Sequence, residues 1–495
     1  MTAGGVLRRA GAGGLLVVAL AASGSGAARA ASVGHVSSNV PATDAQHSAV
    51  LGDLDGDGRS DLVAVAGQGG RVRIDYTSAH PGGSHVQILA PPVTETGGFR
   101  VVATGDFNGD GYADLALGAP GYSRNDFGAD QGAVFIYNGS KQGIVGPPVV
   151  FKGPANYDND NRFGTSIAAG DVNGDGYDDL AVGNPGPYGG GNPVGTVRVI
   201  HGSAGGLTTA GMQRIESGHP VDSGQFGFSV ALADVNGDGH ADLIVGEPGG
   251  YQGKLNLDDV SEGDVQVFAG TAAHGITTSG HLIWGKSVSA AGSLGMSLAS
   301  GNINGRGPSD VVAAAPDAGK IVVFLGDRHG GLKAARSQSL GASFTGLPGT
   351  SRRQAAFGGS LAVGDVTGDG KADVIVGAPT TSAPKRHEGA VYVLRGSASG
   401  VTDKGAKRLT EASVGNPGRN PRASAGFGQS VAVLVTSSSR DSLAIGVPRA
   451  NIGGTDTQTG LVLVFRGTAT GVNLHHMTVI APQTAHNHLG VAIGP

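Results

Sequence analysis

Along most of this chain, apolar residues come in runs of about four to six, such as Leu62-Val63-Ala64-Val65 and Val197-Arg198-Val199-Ile200, separated by polar phrases rich in Gly and Asp. Such runs, too short for amphipathic helices and bounded by turn formers, predict many short strands. The order of the runs recurs. A small apolar strand follows Phe-Gly or Leu-Gly, as at Phe163-Gly164, Phe226-Gly227, Leu294-Gly295, Phe357-Gly358 and Phe427-Gly428. A second apolar run ends in Gly-x-Pro or a relative of it, as at Gly118-Ala119-Pro120, Gly183-Asn184-Pro185, Gly246-Glu247-Pro248 and Gly377-Ala378-Pro379. A third run then follows, as in Ala133-Val134-Phe135-Ile136-Tyr137.

Between the first and second run of each unit lies an acidic phrase. It reads Gly-Asp-Leu-Asp-Gly-Asp-Gly-Arg-Ser-Asp-Leu from Gly52, and its leading Asp or Asn falls at 53, 106, 171, 234, 302 and 365. Self-similarity at a period of 53 to 68 residues marks a repeat architecture. Each unit offers three clear strands and room for a fourth, which is one blade of a propeller. Units begin near 45, 98, 163, 226, 294, 357 and 427, the first with Ala45-Gln46 in place of Phe-Gly, and Leu489 to Ile493 reads as the opening strand of an eighth unit with nothing after it. The expectation is an all-β, seven-bladed β-propeller over residues 32–495, closed by strand 489–493 pairing with the first unit, so that no long sheet edge is left open.

Composition sharpens this reading. Gly and Pro make up 114 of 495 residues, which disfavours long helices, and there is no Cys, so no disulfide can staple the fold. The formal charge is -5, and it becomes -8 once Arg8, Arg9 and Arg29 of the first thirty residues are set aside; nucleic acid is not an expected partner. Asp outnumbers Glu by 33 to 6, and 17 of those aspartates stand at repeated positions of the acidic phrase. Residues 1–30 read as a signal peptide: basic Arg8 and Arg9, an apolar stretch from Gly14 to Ala22, and small residues at Ala28 and Ala30. That stretch is short of the roughly 20 residues that span a bilayer, so a secreted, extracellular protein without a transmembrane segment is expected.

The three phrases, in fixed order, resemble the FG-GAP repeats of the propeller at the head of integrin alpha subunits, which also occur in secreted bacterial proteins and beside the catalytic domain of a phosphatidylinositol-glycan phospholipase D. The resemblance covers essentially all of the chain after the leader. It implies the propeller fold, calcium in the hairpin loops and a part in cell adhesion.

The acidic phrase carries its own chemistry. In the first loop Asp53, Asp55, Asp57 and Asp61 occupy positions 1, 3, 5 and 9, and Arg59 offers a backbone carbonyl at position 7. Carboxylates so spaced would repel one another without a cation, and calcium takes six to eight oxygen ligands in flexible geometry. An EF-hand would need a bidentate Glu at position 12, where this chain has Ala64, and flanking helices where it has strand-like runs. The same ligand rule gives Asp106, Asn108, Asp110, Tyr112 and Asp114; Asp171, Asn173, Asp175, Tyr177 and Asp179; Asp234, Asn236, Asp238, His240 and Asp242; and Asp365, Thr367, Asp369, Lys371 and Asp373. About five Ca2+ ions per chain are expected, in loops one, two, three, four and six. The fifth loop, with Asn302, Asn304, Arg306 and Asp310, is expected to bind none, Arg306 standing in for the metal. The seventh, around Val435 to Asp441, keeps almost no ligands.

Gly-x-Ser-x-Ala around Ser166, Ser229, Ser297, Ser360 and Ser430 looks like a degraded nucleophile elbow, yet it recurs at one repeat position, where an enzyme needs one nucleophile. The pairs His475-His476 and His486/His488 lack the spacing of a zinc helix, and the Gly-rich stretch 186–191 lacks the Lys-Ser/Thr of a phosphate loop. Asp158-Asn159-Asp160-Asn161 and Tyr157 could add a cation or sugar contact, the blander alternative being a polar loop tip. No catalytic residues are assigned. The expectation is a non-enzymatic, monomeric recognition or adhesion module for an extracellular protein or glycan; the alternative is a secreted hydrolase or lyase working in the propeller's central depression.

Overall fold

A computed structural model describes residues 17–18, 52–66, 71–77, 85–90, 98–122, 131–154, 162–186, 195–219, 224–249, 263–290, 292–341, 356–379, 382–383, 386–387, 389–415, 426–435, 440–450, 460–481 and 489–493. The fold is all-β, a seven-bladed propeller of antiparallel sheets. The third blade shows the pattern: Ser166–Gly170 is its inner strand, followed outward by Asp179–Asn184, Thr196–His201 and Thr208–Glu216. Inner strands of the second and fourth to seventh blades are Val101–Gly105, Ser229–Ala233, Leu298–Gly301, Ser360–Gly364 and Ser430–Leu434. In the first blade the inner place is taken by Leu489–Ile493, which pairs antiparallel with Leu62–Ala66, ahead of Val72–Asp75 and Val86–Leu89. That C-terminal strand also lies against the inner strands of the second and seventh blades, so the ring closes. Val17–Val18, inside the stretch read as a signal peptide, form a two-residue strand parallel to Val63 and Ala64.

Burial explains the residue choices. Second strands such as Asp179–Asn184 and Asp310–Ala315 are buried at every position, because neighbouring blades cover both of their faces. Outer strands such as Thr208–Glu216 are mostly open to solvent and carry polar residues. Inner strands use small residues, as in Ser-Ile-Ala-Ala-Gly and Leu-Ala-Ser-Gly, since several of them crowd together around the axis.

The Phe-Gly phrase is the wedge between blades. Phe163, Phe226, Phe357 and Phe427 are buried, and Phe226 meets Phe268 edge-on at 5.9 Å as Phe357 meets Tyr392 at 5.3 Å. Phe163 and Phe427 each bridge to a glycine before the third strand of the preceding blade, Gly132 and Gly389. Each wedge contributes about 1.5–3 kcal/mol of apolar burial.

Candidate metal loops

In blades two to six each acidic phrase forms the hairpin from inner to second strand, with the ninth-position aspartate as the first residue of the second strand; in the first blade it leads directly into Leu62–Ala66. In the first loop, Gly56 and Gly58 hold φ of 71° and 81°, a left-handed turn that side-chain-bearing residues enter only with strain. The turn folds the chain around the leading carboxylate. Asp106 Oδ1 accepts the N–H of Gly109 (2.7 Å) and Asp110 (3.1 Å), and Oδ2 that of Gly111 (3.0 Å). Asp171, Asp234 and Asp365 repeat this cradle.

The ninth-position carboxylate is the buried floor. Asp114 Oδ2 accepts from Phe107 N at 3.1 Å and Oδ1 from Gly139 N at 2.9 Å; Asp61, Asp242 and Asp373 are held alike. Asp179 adds a contact with His201 Nδ1 at 3.2 Å, which raises the pKa of that imidazole. Exclusion of water raises the floor pKa values, to about 9 for Asp61, about 7 for Asp114 and Asp242, and about 6 for Asp373. Asp53 is pushed up to about 6 by burial, with Asp55 and Asp57 adding repulsion.

These are sets of oxygen donors suited to a hard cation. An oxygen that accepts one N–H keeps a second lone pair. In the first loop, one oxygen from each of Asp53, Asp55 and Asp61 lies within 4.8 Å of the others, the one such convergence of carboxylate or imidazole ligands among the described residues. Loops two to four put Asn108, Asn173 and Asn236 at position 3, each Oδ1 accepting the position-5 N–H and each Nδ2 facing the position-5 carboxylate. In the sixth, Lys371 Nζ and Arg395 Nη2 stand 3.5 and 3.9 Å from Asp369. Among the described residues, the donor set of the first loop fits a divalent cation best.

Position 7 has a role beyond its carbonyl. The Tyr112 side chain lies over Gly56 of the preceding loop, His240 over Gly174 and Lys371 over Gly305, so a Cβ on any of these glycines would collide. Position 8 completes the link by donating its N–H to the position-1 carbonyl of the preceding loop. Ala113 donates to Asp53 (2.9 Å), Asp178 to Asp106 (3.0 Å), Ala241 to Asp171 (2.8 Å), Ser309 to Asp234 (2.8 Å), Ala372 to Asn302 (2.9 Å) and Asp441 to Asp365 (2.9 Å).

The fifth loop departs from expectation. Arg306 does not fill the centre: only its backbone N–H engages the loop, at Asn302 Oδ1, and its side chain is exposed. The Asn304 amide takes that place instead, donating from Nδ2 to Asp310 Oδ1 at 2.9 Å. A short amide reaches the floor carboxylate, whereas the long Arg306 side chain is exposed. In the seventh loop Arg440 Nε reaches Thr367 O at 3.2 Å, and residues 436–439 lie outside the described set.

The repeated serines are stitches. Ser166 Oγ donates to Gly227 O (2.8 Å), Ser229 to Gly295 O (2.6 Å), Ser297 to Gly358 O (2.7 Å) and Ser360 to Gly428 O (3.1 Å), each fully buried and each tying an inner strand to the Phe-Gly or Leu-Gly phrase of the next blade. His475 and His476 are exposed on the outer strand Gly471–Ile480. His486, His488, Ala45-Gln46, Tyr157 to Asn161 and residues 187–191 lie outside the described residues.

Sequence reasoning missed one cluster. Glu247 and Asp264 face each other across the second and third strands of the fourth blade, both buried. Ser217 Oγ (2.8 Å) and Gln266 Nε2 (2.9 Å) donate to Glu247 Oε2, and Gln266 Nε2 also reaches Asp264 Oδ1 at 3.3 Å. Loss of water raises their pKa values to about 7 and about 8. The equivalent pairs in the second, sixth and seventh blades are Ala119/Ala133, Ala378/Ala390 and Val447/Leu461.

Comparison with known proteins follows the same geometry. The FG-GAP repeat model matches residues 99–137, 163–200, 226–268 and 357–394, and an FG-GAP-like repeat model matches 53–117. The blades left unmatched are those with the degenerate fifth and seventh loops. Integrin alpha pat-2 of Caenorhabditis elegans is 34% identical over 223 residues, 40% of this chain and 17% of that protein. Integrin alpha-IIb of Mus musculus is 42% identical over 155 residues, 30% and 14%. Phosphatidylinositol-glycan-specific phospholipase D of Bos taurus is 29% identical over 402 residues, 74% and 46%. The chain spans less than half the length of each of these relatives.

Proposed function

Because this chain is an FG-GAP repeat protein resembling the integrin alpha propeller, we propose that it is a secreted, calcium-stabilised recognition module for an extracellular protein or glycan. The observation that carries the reading is the use of chemistry-bearing residues as repeated structural parts: the serines stitch blades and the acids build loops. The result is a rigid ring with variable turns on its rims. Calcium would be held by the donor sets at Asp53, Asp106, Asp171, Asp234 and Asp365. When bound it supplies positive charge that the buried carboxylates lack. Export would remove residues 1–30, leaving the first sheet with four strands like the rest.

A second reading is enzymatic, favoured by the long match to the phospholipase D relative. The test runs purified protein, with and without millimolar calcium, on a glycan and matrix-protein array beside a hydrolase panel that includes a glycosylphosphatidylinositol substrate. Calcium-dependent capture without turnover supports recognition; turnover without capture replaces it with the enzyme.

A further inference from the structure

On the metal-loop rim the fifth blade carries Arg306 where loops one to four and six carry an aspartate. There a groove of about 590 Å³, within the range of small-ligand sites, is lined by Arg306, Arg328, Arg336, His329, Asn304 and Ser399 among others. Arg336 is engaged by Asp327, Nη1 to Oδ2 at 2.6 Å, which neutralises the groove's carboxylate. The Arg306 and Arg328 guanidiniums, both on exposed residues, make no hydrogen bond or ion pair among the described residues. Asn304 beside them is 7% exposed, its Nδ2 committed to Asp310 and its Oδ1 closed to solvent. The groove therefore presents two guanidinium forks, the carboxylate that lines it, Asp327, being engaged by Arg336.

Guanidinium forks match the oxygens of a tetrahedral oxyanion. We propose that this groove binds a saccharide carrying a sulfate or phosphate ester, the ester on Arg306 and Arg328. The site rests on the recognition reading for its extracellular setting. Relative to loops one to four and six, Arg at position 5 puts a cation where they hold a carboxylate.

The test measures binding of a fluorescein-labelled heparin tetrasaccharide, its desulfated form and a phosphorylated mannose disaccharide by polarisation. Proteins compared are the full chain, Arg306→Ala/Arg328→Ala and, as a charge control elsewhere, Arg214→Ala/Arg466→Ala. The expected result is at least a tenfold loss of affinity for an esterified probe in the first double variant, little change in the control, and no binding of the desulfated sugar; the two esterified probes tell sulfate from phosphate. Equal losses in both variants, or equal binding of desulfated sugar or of a polyglutamate peptide, would overturn the site. Array capture unaffected by Arg306→Ala/Arg328→Ala would overturn it while leaving recognition intact, and absence of any array capture would count against the broader reading instead. Both side chains being exposed, unchanged melting of the variant is the folding control.

Discussion

Asp178 and Asp106 hold each other by two reciprocal bonds across the boundary of the second and third blades: Asp178 N donates to Asp106 O at 3.0 Å, and Asp106 N donates to Asp178 Oδ2 at 2.9 Å. Asp441 and Asp365 repeat the arrangement at 2.9 and 2.8 Å. Asp178→Ala should leave the Asp106 N–H without its acceptor and destabilise by about 1–3 kcal/mol. Asp178→Asn, whose amide oxygen still accepts, should recover most of that in urea unfolding. Equal losses for the two variants would mean that charge, and not the bond, is what matters.

The serine stitches predict a stability phenotype without a catalytic one. Ser229→Ala removes the donor to Gly295 O in a site closed to water and should cost about 1–3 kcal/mol. Ser229→Ala/Ser297→Ala should lower the melting temperature further while leaving capture on the array unchanged after correction for folded fraction.

Gly183 sits where the second strand of the third blade meets the next blade, and an added Cβ would strike Gly227 O and Ser166 Oγ. Backbone cannot give way there as a side-chain tip can. Gly183→Ala should cost upwards of about 3 kcal/mol, whereas Gly176→Ala, with open space around it, should bear only the strain of its left-handed backbone. Comparable melting temperatures would refute the close contact.

Removing calcium should unmake much of the stability. Extracellular sites with dissociation constants near 10⁻⁴ M, in about 1 mM calcium, contribute about 1.4 kcal/mol each, and five would sum to about 7 kcal/mol. Chelation should lower the melting temperature by many degrees, and Asp175→Ala should reduce the bound-ion count by one in elemental analysis. Asn304→Ala should leave that count unchanged. Unaltered melting in chelator, with the loops shown empty, would make calcium's role one of ligand contact.

The Glu247–Asp264 pair sets a pH dependence of its own. Folding raises both pKa values, from 4.5 to about 7 and from 3.8 to about 8, so the folded state binds protons more tightly than the unfolded chain. Its penalty is full above about pH 8 and relieved as pH falls toward 4. Glu247→Gln/Asp264→Asn should therefore raise the melting temperature at pH 8.5, and by less at pH 5. A variant that loses stability equally at both values would show the carboxylates to be needed as charges.

Repeat, blade and loop positions were legible because Phe-Gly, the Asp-Gly phrase and Gly-x-Pro each do one geometric job in fixed order. What they touch was less legible. Ser166 read as one copy of a repeated Gly-x-Ser-x-Ala phrase, and what its hydroxyl does was hidden because the acceptor lies 61 residues away in the next blade. Arg306 read as a metal substitute because spacing places it in the ring of ligands, but spacing does not tell where a long side chain will turn. Glu247 and Asp264 were hidden by a separation that strand pairing closes; the signal available was a Glu, one of six in the chain, inside a phrase that elsewhere holds Ala, Asn or Val. Asp178 and Asp441 could have been noticed as acids where other loops have Ala or Ser.

Both rims are stitched: at the loop rim the position-8 N–H of the second to seventh blades donates to the blade before it, with return bonds from Asp106 and Asp365, and at the other rim the serines of the third to sixth blades donate to the blade after. Every boundary with both stitches is thus pinned at the two ends of an inner strand of about five residues, about 17 Å apart. Two separated pins forbid the sliding and hinging that one would permit. A ligand that touches turns from several blades consequently meets them already in register, and association should go forward as a rigid-body encounter. Its kinetics should then be single-phase, with a rate that scales with ligand concentration and shows no slow closing step.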